Sequence, residues 1–146
     1  MIEPTAERRD MDALLDQLLA FAREMLRKQG AVYPFGAVTK SDGRMKLVAS
    51  SGGATQSSTD ELMGMVVAGM REQALAGEIR AAGVCYEVHV PTDDGSTTDA
   101  IAVSLEDVMG DNAMVFMPYT RGGRLTGVKF DEITVSPGEP RVFVRA

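Results

Sequence analysis

Apolar and polar residues alternate most regularly between residues 100 and 120, on both sides of the Gly-Asp-Asn sequence at residues 110–112. Ile101, Val103 and Leu105 occupy every second position, which is the period of a β-strand with one buried face. Glycine, aspartate and asparagine favour tight turns. The segment therefore predicts a β-hairpin, and the other elements are expected to pair with it or to pack over it.

Two stretches show the three- and four-residue spacing of apolar positions that is typical of amphipathic helices. The first begins at Asp10 and ends at Gly30, a residue suited to a helix C-cap. The second begins after Ser58, which forms a capping-box pattern with Glu61, and is expected to run to about Arg80. Its first half is apolar almost all round. This pattern predicts that several sides are covered, either within the domain or by another subunit.

Further strands are predicted where short apolar or alternating segments are bounded by turn residues, over 35–39, 44–50, 84–90 and 128–135, with 142–144 as a short last strand or an extended tail. Successive strands are joined by short links, which favours hairpins and an antiparallel sheet. Pro118 lacks an amide hydrogen and is expected at an edge, a bulge or a strand end. The element order is therefore α-β-β-α-β-β-β-β.

These elements predict an α+β fold of two layers, in which two long helices pack on one face of a mainly antiparallel, five- to six-stranded sheet. Residues 1–146 are expected to form a single domain, because the length is close to the commonest domain size, with residues 1–9 as a mobile arm. The other sheet face is expected to stay open and to mix apolar residues with four polar ones, namely Glu87, His89, Ser104 and Glu106. A half-apolar open face favours self-association.

Charge and composition exclude several classes of function. The net charge is −6, and the Lys and Arg residues are scattered rather than clustered, so no nucleic-acid partner is expected. No apolar run approaches the roughly 20 residues that span a bilayer, and the charged N-terminus does not resemble a signal peptide. A single cysteine, Cys85, fits a reducing compartment. The expected location is cytoplasmic, without membrane attachment.

The side chains of catalytic and metal sites are sparse in this sequence. His89 is the sole histidine, and Cys85 lies four residues before it on the same predicted strand, about 13 Å away at the strand rise. No serine stands in a Gly-x-Ser-x-Gly motif. The aspartates within residues 93–99 lack the spacing of an EF-hand, and loop 50–58 lacks the Gly-Lys-Ser/Thr of a phosphate-binding loop. No catalytic, cofactor-binding or metal-binding residue is assigned, and no cofactor is expected.

Partner contacts are predicted at two aromatic segments, because Tyr and Arg are enriched at binding hot spots. Tyr119, Arg121 and Arg124 lie in and beside a Gly-rich segment, and Tyr33 and Phe35 flank a proline. The segment from Tyr33 to Phe35 suits a second interpretation equally well. In that interpretation it fills the gap between the first helix and the sheet.

The sequence favours a small cytoplasmic, non-enzymatic protein-interaction module that binds a protein partner or associates with itself, for instance as a homodimer. Its acidic balance would suit neutralising or chaperoning a basic partner, as immunity-type proteins do. Two alternatives stay open. One is a small-molecule-binding domain or enzyme with an Asp/Glu/Arg/Tyr site, for which Tyr119, Arg121 and Asp111 would be tested first. The other is a structural subunit of a homo-oligomer.

Overall fold

Two helices and seven strands make up the part of the chain that the computed structural model describes, residues 6–49, 58–121 and 127–143. The helices are α1 (Ala6–Gln29) and α2 (Thr59–Leu75). The strands are β1 (Phe35–Lys40), β2 (Met45–Ala49), β3 (Ile79–Pro91), β4 (Thr97–Asp107), β5 (Asn112–Arg121), β6 (Val128–Phe130) and β7 (Thr134–Ser136). The chain order agrees with the predicted order, except that the fourth strand after α2 is divided into β6 and β7.

All seven strands belong to one antiparallel sheet, whose spatial order is β2-β1-β3-β4-β5-β6, with β7 also paired to β5. The predicted α+β fold with a mainly antiparallel sheet is therefore confirmed. The predicted hairpin is β4 and β5, joined through Gly110, which has the positive φ of 97° that such a turn requires. Long pairings with β3 on one side and β5 on the other place β4, the first strand of this hairpin, in the middle of the sheet.

Pro118 accounts for the division of the last predicted strand. The Pro118 carbonyl accepts a hydrogen bond from the amide of Asp131 (2.8 Å), so the side of Pro118 that lacks an amide hydrogen faces the outer edge of β5. The ladder is interrupted there and resumes shifted by one residue, because Tyr119 pairs with Phe130 whereas Phe116 pairs with Thr134. Of the three placements predicted for Pro118 (an edge, a bulge or a strand end), this irregularity in the ladder agrees best with the second.

The prediction that both helices cover one face of the sheet is wrong, because they lie on opposite faces. On one face, Leu18 of α1 packs in a buried cluster with Ala37 and Cys85. On the other face, Met70 of α2 packs in a separate cluster with Val38. Neighbouring strand residues point to opposite faces, so this division matches the alternation along β1. The sheet is the middle of three layers.

Because both faces of the sheet are covered, alternation along a strand does not identify a single buried face. Residues 81–85 of β3 are all buried, as expected for a strand covered on both sides. The alternation of polar and apolar residues then no longer distinguishes an exposed face of the sheet from a buried one. The observed register pairs Cys85 with Val103 and His89 with Asp99. The four polar residues predicted on one open face are therefore divided: Glu87 and His89 lie on the α1 face, and Ser104 and Glu106 on the α2 face.

Two glycines on adjacent strands let both helices approach the sheet closely. A Cβ atom at Gly36 would lie 2.3 Å from Met70 Cε of α2 and 2.6 Å from the carbonyl oxygen of Gly83. A Cβ atom at Gly83 would lie 2.6 Å from Leu18 Cδ1 of α1. Such separations are far below van der Waals contact, so each position needs the absence of a side chain.

The helix termini follow local sequence signals, with two differences in length. Gly30 caps α1 with a positive φ of 76°, as predicted, and the Ser58 hydroxyl accepts the amide of Glu61 (3.2 Å) at the start of α2. Helix α1 begins at Ala6 rather than Asp10, and residues 1–5 of the predicted arm lie outside the described residues, as does loop 50–57. Helix α2 ends at Leu75 rather than near Arg80, because Gly77 adopts φ 73° and turns the chain into β3.

A buried carboxylate holds the segment Arg141–Phe143 against the α2 face. Glu106 is 3% exposed and accepts hydrogen bonds from the backbone amides of all three residues of this segment, at 2.9–3.1 Å. Val142 enters the core beside α2. Of the two alternatives predicted for residues 142–144, a short last strand or an extended tail, the strand is not formed within residues 142–143. Residue 144 lies outside the described residues.

Replacing Gly36 with alanine is expected to destabilise the fold by about 1–3 kcal/mol, because the new methyl group meets a backbone carbonyl that cannot move aside. Gly64→Ala is the matched control. Gly64 lies in the interior of α2 and has open space around it, so alanine should stabilise the helix by roughly 0.5–1 kcal/mol. Urea denaturation measures both changes. Equal stability of Gly36→Ala and the wild type would contradict the close packing of α2.

Glu106→Ala is expected to lower the free energy of unfolding by about 2–4 kcal/mol, because three amides lose a charged acceptor and Val142 is released. Hydrogen exchange of the amides of residues 141–143 should accelerate in parallel. Glu139→Ala removes an exposed carboxylate two residues before this segment and should lower the free energy of unfolding by less than about 0.5 kcal/mol. Unchanged exchange in Glu106→Ala would show that the carboxylate does not hold the segment.

Candidate functional site

Helix α1 leaves part of its sheet face uncovered. A helix with its side chains is roughly 10 Å wide, whereas neighbouring strands lie about 4.8 Å apart, so one helix cannot cover a six-strand width. Helix α1 lies over β3 and β4 and also contacts β1. In its second half, Arg23 lies 5.5 Å from the ring centroid of Phe130 and covers the junction of β5 and β6. The open part is therefore beside the first half of α1.

A groove of about 450 Å³ occupies this open part, between α1, the start of β5, and β7. Its apolar surface is formed by Met11, Leu15, Leu105, Ala113, Val115 and Val135. Val135 is 63% exposed, and Ile133 beside it on the same sheet edge is also exposed. Exposed apolar side chains that adjoin an apolar groove are typical of an interaction surface.

Among the residues whose side chains the structure describes, the charged ones that line the groove are two aspartates, Asp12 on α1 and Asp111 just before β5. Both are exposed. Asp16 follows Asp12 by one helical turn and lies on the same side of α1. In the described part of the chain, the groove therefore combines an apolar floor with a rim that carries two carboxylates and no lysine or arginine.

The turn that carries Asp111 is held by a buried carboxylate. Asp107 is 1% exposed, and its Oδ1 accepts the backbone amides of Met109 (2.9 Å) and Asp111 (3.0 Å). The backbone amide of Asp107 donates to the Asp111 carbonyl (3.0 Å). These bonds fix the backbone at Asp111, so this side of the rim is formed before any ligand binds.

The predicted partner-contact residues do not form one surface. Tyr119 is 1% exposed and Phe35 is 5% exposed, so the expectation that they lie at the surface is corrected. Tyr33 is exposed at 45%. Arg121 ends β5, but its side chain and the whole of Arg124 lie outside the described residues. The proposed partner contacts of Tyr33, Arg121 and Arg124 stay predictions.

Phe35 and Tyr119 have internal roles instead. Phe35 packs edge-on against Phe21 of α1, with ring centroids 6.4 Å apart, which agrees with the alternative interpretation of residues 33–35 as a plug. The Tyr119 hydroxyl donates to Glu87 Oε1 (2.7 Å), and its ring contacts Phe130 at 6.3 Å. Both residues join the α1 cluster because β1 and β5 direct odd-numbered residues toward α1.

A row of polar side chains, Glu87, His89 and Asp99, lies at the far end of the same face. His89 Nδ1 lies 2.5 Å from Asp99 Oδ1, which leaves the other ring nitrogen toward solvent. The nucleophiles suggested by the sequence are out of reach, because Ser104 lies on the opposite face and Cys85 is buried four residues away. Nor does this row meet the groove. Asn112, next to Asp111, lies at the groove, whereas Tyr119 lies at the polar row. These two residues are seven positions apart on β5, which corresponds to about 24 Å.

Two further observations bear on possible chemistry. Burial raises the pKa of the Cys85 thiol, so the thiol stays protonated and is a poor nucleophile or metal ligand at neutral pH. Within the described ranges, no three His, Cys, Asp or Glu side chains come close enough to hold a metal ion.

The groove was not found from the sequence. It brings together residues 11–15, residues 105 and 111–115, and residues 135–137, and the first and last of these groups are more than one hundred positions apart in the sequence. Asp111 was singled out from the sequence, but for a site with Tyr119 that the fold does not form. The sequence contains one signal for it, the pair of apolar residues Ile133 and Val135 in an otherwise polar segment, where apolar side chains are expected to be exposed.

The fold places this chain among α+β proteins with an antiparallel sheet covered by a helix on each face. Comparison with known proteins adds no closer relationship: no family model matches the sequence, and no curated protein and no solved structure matches the chain. Neither α1 nor α2, as far as they are described, is long and apolar enough to cross a membrane.

The burial of Cys85 predicts its reactivity. A thiol reagent such as a disulfide-exchange dye should label Cys85 completely in the protein unfolded in urea. Over the same time at pH 7–8, it should not label Cys85 in the native protein, because burial disfavours the thiolate and blocks access to the sulfur atom. Fast labelling of the native protein would show that the sheet centre opens readily or that α1 does not cover β3.

Proposed function

We propose that this protein is a non-enzymatic protein-interaction module whose contact surface is the groove beside the first half of α1. The observation that carries the proposal is the combination of an apolar groove, bordered by the exposed side chain of Val135, with a rim whose two described charges are negative. Apolar burial supplies affinity, and the carboxylates select a positively charged partner. The net charge of −6 acts in the same direction over a longer range.

The rigidity of the groove walls supports this role. Leu14 and Leu18 of α1 are fully buried and anchor the helix to the sheet, while Val115 is paired with both β4 and β7. The walls are thus fixed by the core. A surface that is formed in advance avoids the entropy of ordering on binding. The cytoplasmic location belongs to the same proposal and rests on the sequence, in which the one cysteine fits a reducing compartment.

Self-association through α2 is the second candidate. The outer side of this helix exposes Met65 (50%) and Leu75 (80%). Gly64 and Gly69 lie nearby with no atom within 4 Å of a Cβ position. Two glycines in a helix interior lower its stability, and no packing within the described residues requires them. Close approach of a second helix would explain both glycines.

Affinity purification from the native host distinguishes the two surfaces. Val135→Arg places a positive charge in the groove, and Leu75→Arg makes the same change on the exposed side of α2. Both positions are exposed, so both variants should fold. The wild type and Leu75→Arg should recover the same stoichiometric protein, whereas Val135→Arg should recover at least about tenfold less, because a hot-spot position is worth about 2 kcal/mol.

Three results would contradict the proposal. Recovery of the partner by Val135→Arg at the wild-type level would exclude the groove. Loss of the partner in Leu75→Arg alone would move the interaction to α2. If the wild type recovers only itself, as a dimer by light scattering that Leu75→Arg converts to a monomer, the second candidate replaces the first.

A further inference from the structure

The two faces of the sheet are filled in different ways beside their helices. On the α2 face, the chain's own residues Arg141–Phe143 lie next to the helix, with their amides bound to Glu106 and Val142 buried. On the α1 face, the comparable space is the groove. No described segment of the chain lies in it in the way that Arg141–Phe143 lies beside α2. The α2 face thus gives an example of what fits between a helix and this sheet: a short segment of chain that inserts one apolar side chain.

From this comparison, we infer that the groove binds a short peptide segment of the partner protein in which an apolar residue is flanked by lysine or arginine. The inference rests on the proposed function and specifies its partner. The apolar residue would enter the floor near Ala113 and Val115, as Val142 does on the other face. The basic side chains would meet Asp12 and Asp111.

The charges of the groove decide against other peptide compositions. An acidic segment would bring like charges toward Asp12 and Asp111, which disfavours binding. A basic segment without an apolar residue would gain only solvent-exposed ion pairs, each worth about 0.2–1 kcal/mol, and would leave the apolar floor exposed. Only the combination of both features uses the whole lining of the groove.

The size of the groove agrees with a short segment. Its volume of about 450 Å³ lies within the range of about 300–1,000 Å³ that accommodates ligands of drug size. That range corresponds to a few side chains rather than to a complete helix or domain. The partner segment is therefore expected to insert one apolar side chain and to extend its basic neighbours over the rim.

The test uses three end-capped synthetic peptides of equal length with the central sequences Lys-Leu-Val-Lys, Glu-Leu-Val-Glu and Lys-Ser-Ser-Lys. Each is titrated into the isotopically labelled full chain, and binding is followed through the amide signals of the protein. The first peptide should shift the signals of Leu15, Ala113 and Val135. The other two should bind at least about tenfold more weakly.

Charge variants distinguish the contribution of the rim carboxylates to peptide binding from the contribution of the overall charge of the protein. The double variant with Asp12→Asn and Asp111→Asn should weaken binding of the Lys-Leu-Val-Lys peptide by about fivefold to tenfold and should reduce its salt dependence. The control is the double variant with Asp60→Asn and Glu72→Gln. It removes the same charge from exposed positions of α2 and should leave the affinity unchanged.

Equal binding of the three peptides, or signal shifts outside the groove, would overturn the inference. So would an equal loss of affinity in both double variants, because the overall charge would then explain the binding. Failure of the proposed function has a different signature, since Val135→Arg would then retain the native partner. If Val135→Arg loses the partner while no peptide binds, the groove is an interaction surface for a partner of another chemistry.

Discussion

The close approach of two helices to the same pair of strands, from opposite sides, is the constraint on which the structure depends. Gly36 leaves room for Met70 on one face, and Gly83 leaves room for Leu18 on the other. Because these glycines lie on the adjacent strands β1 and β3, both helices are fixed over the same part of the sheet. The remaining strands then extend beyond both helices, and each face keeps a strip that its helix does not cover.

The two uncovered strips of the sheet differ in what lies on them. On the α2 face, Glu106 would be a buried charge without partners, which is strongly unfavourable, unless the amides of residues 141–143 surrounded it. On the α1 face, Asp12 and Asp111 are exposed and remain hydrated, so they need no partner within the chain. The same geometry therefore produces a stabilising contact on one side and, on the other, an acid-rimmed groove that no described segment of the chain fills. The proposed interaction surface is a consequence of covering a wide sheet with one helix per face.

Local signals in the sequence predicted the elements well. The spacing from Met11 to Leu26 predicts α1, Ser58 predicts the start of α2, and Pro118 predicts an irregular position in its strand, which is found where the pairing of β5 passes from β7 to β6. The arrangement of these elements could not be predicted in the same way. Alternation along β3 and β4 identifies an inside only if one face is exposed, and here both are covered. The register of Cys85 with Val103, and with it the division of the helices between the faces, depends on tertiary packing. The burial of Tyr119 and the formation of the groove follow from that packing, so neither was visible in the residue pattern.

The most direct test of the central claim is hydrogen–deuterium exchange of the full chain, alone and bound to the protein that it recovers from its host. If the strip left open by α1 is the interaction surface, added protection should be confined to residues 11–16, 111–115 and 133–137. Residues 141–143 should keep the protection that Glu106 already gives them. Added protection over α2 and β2, with none in the groove segments, would contradict the account.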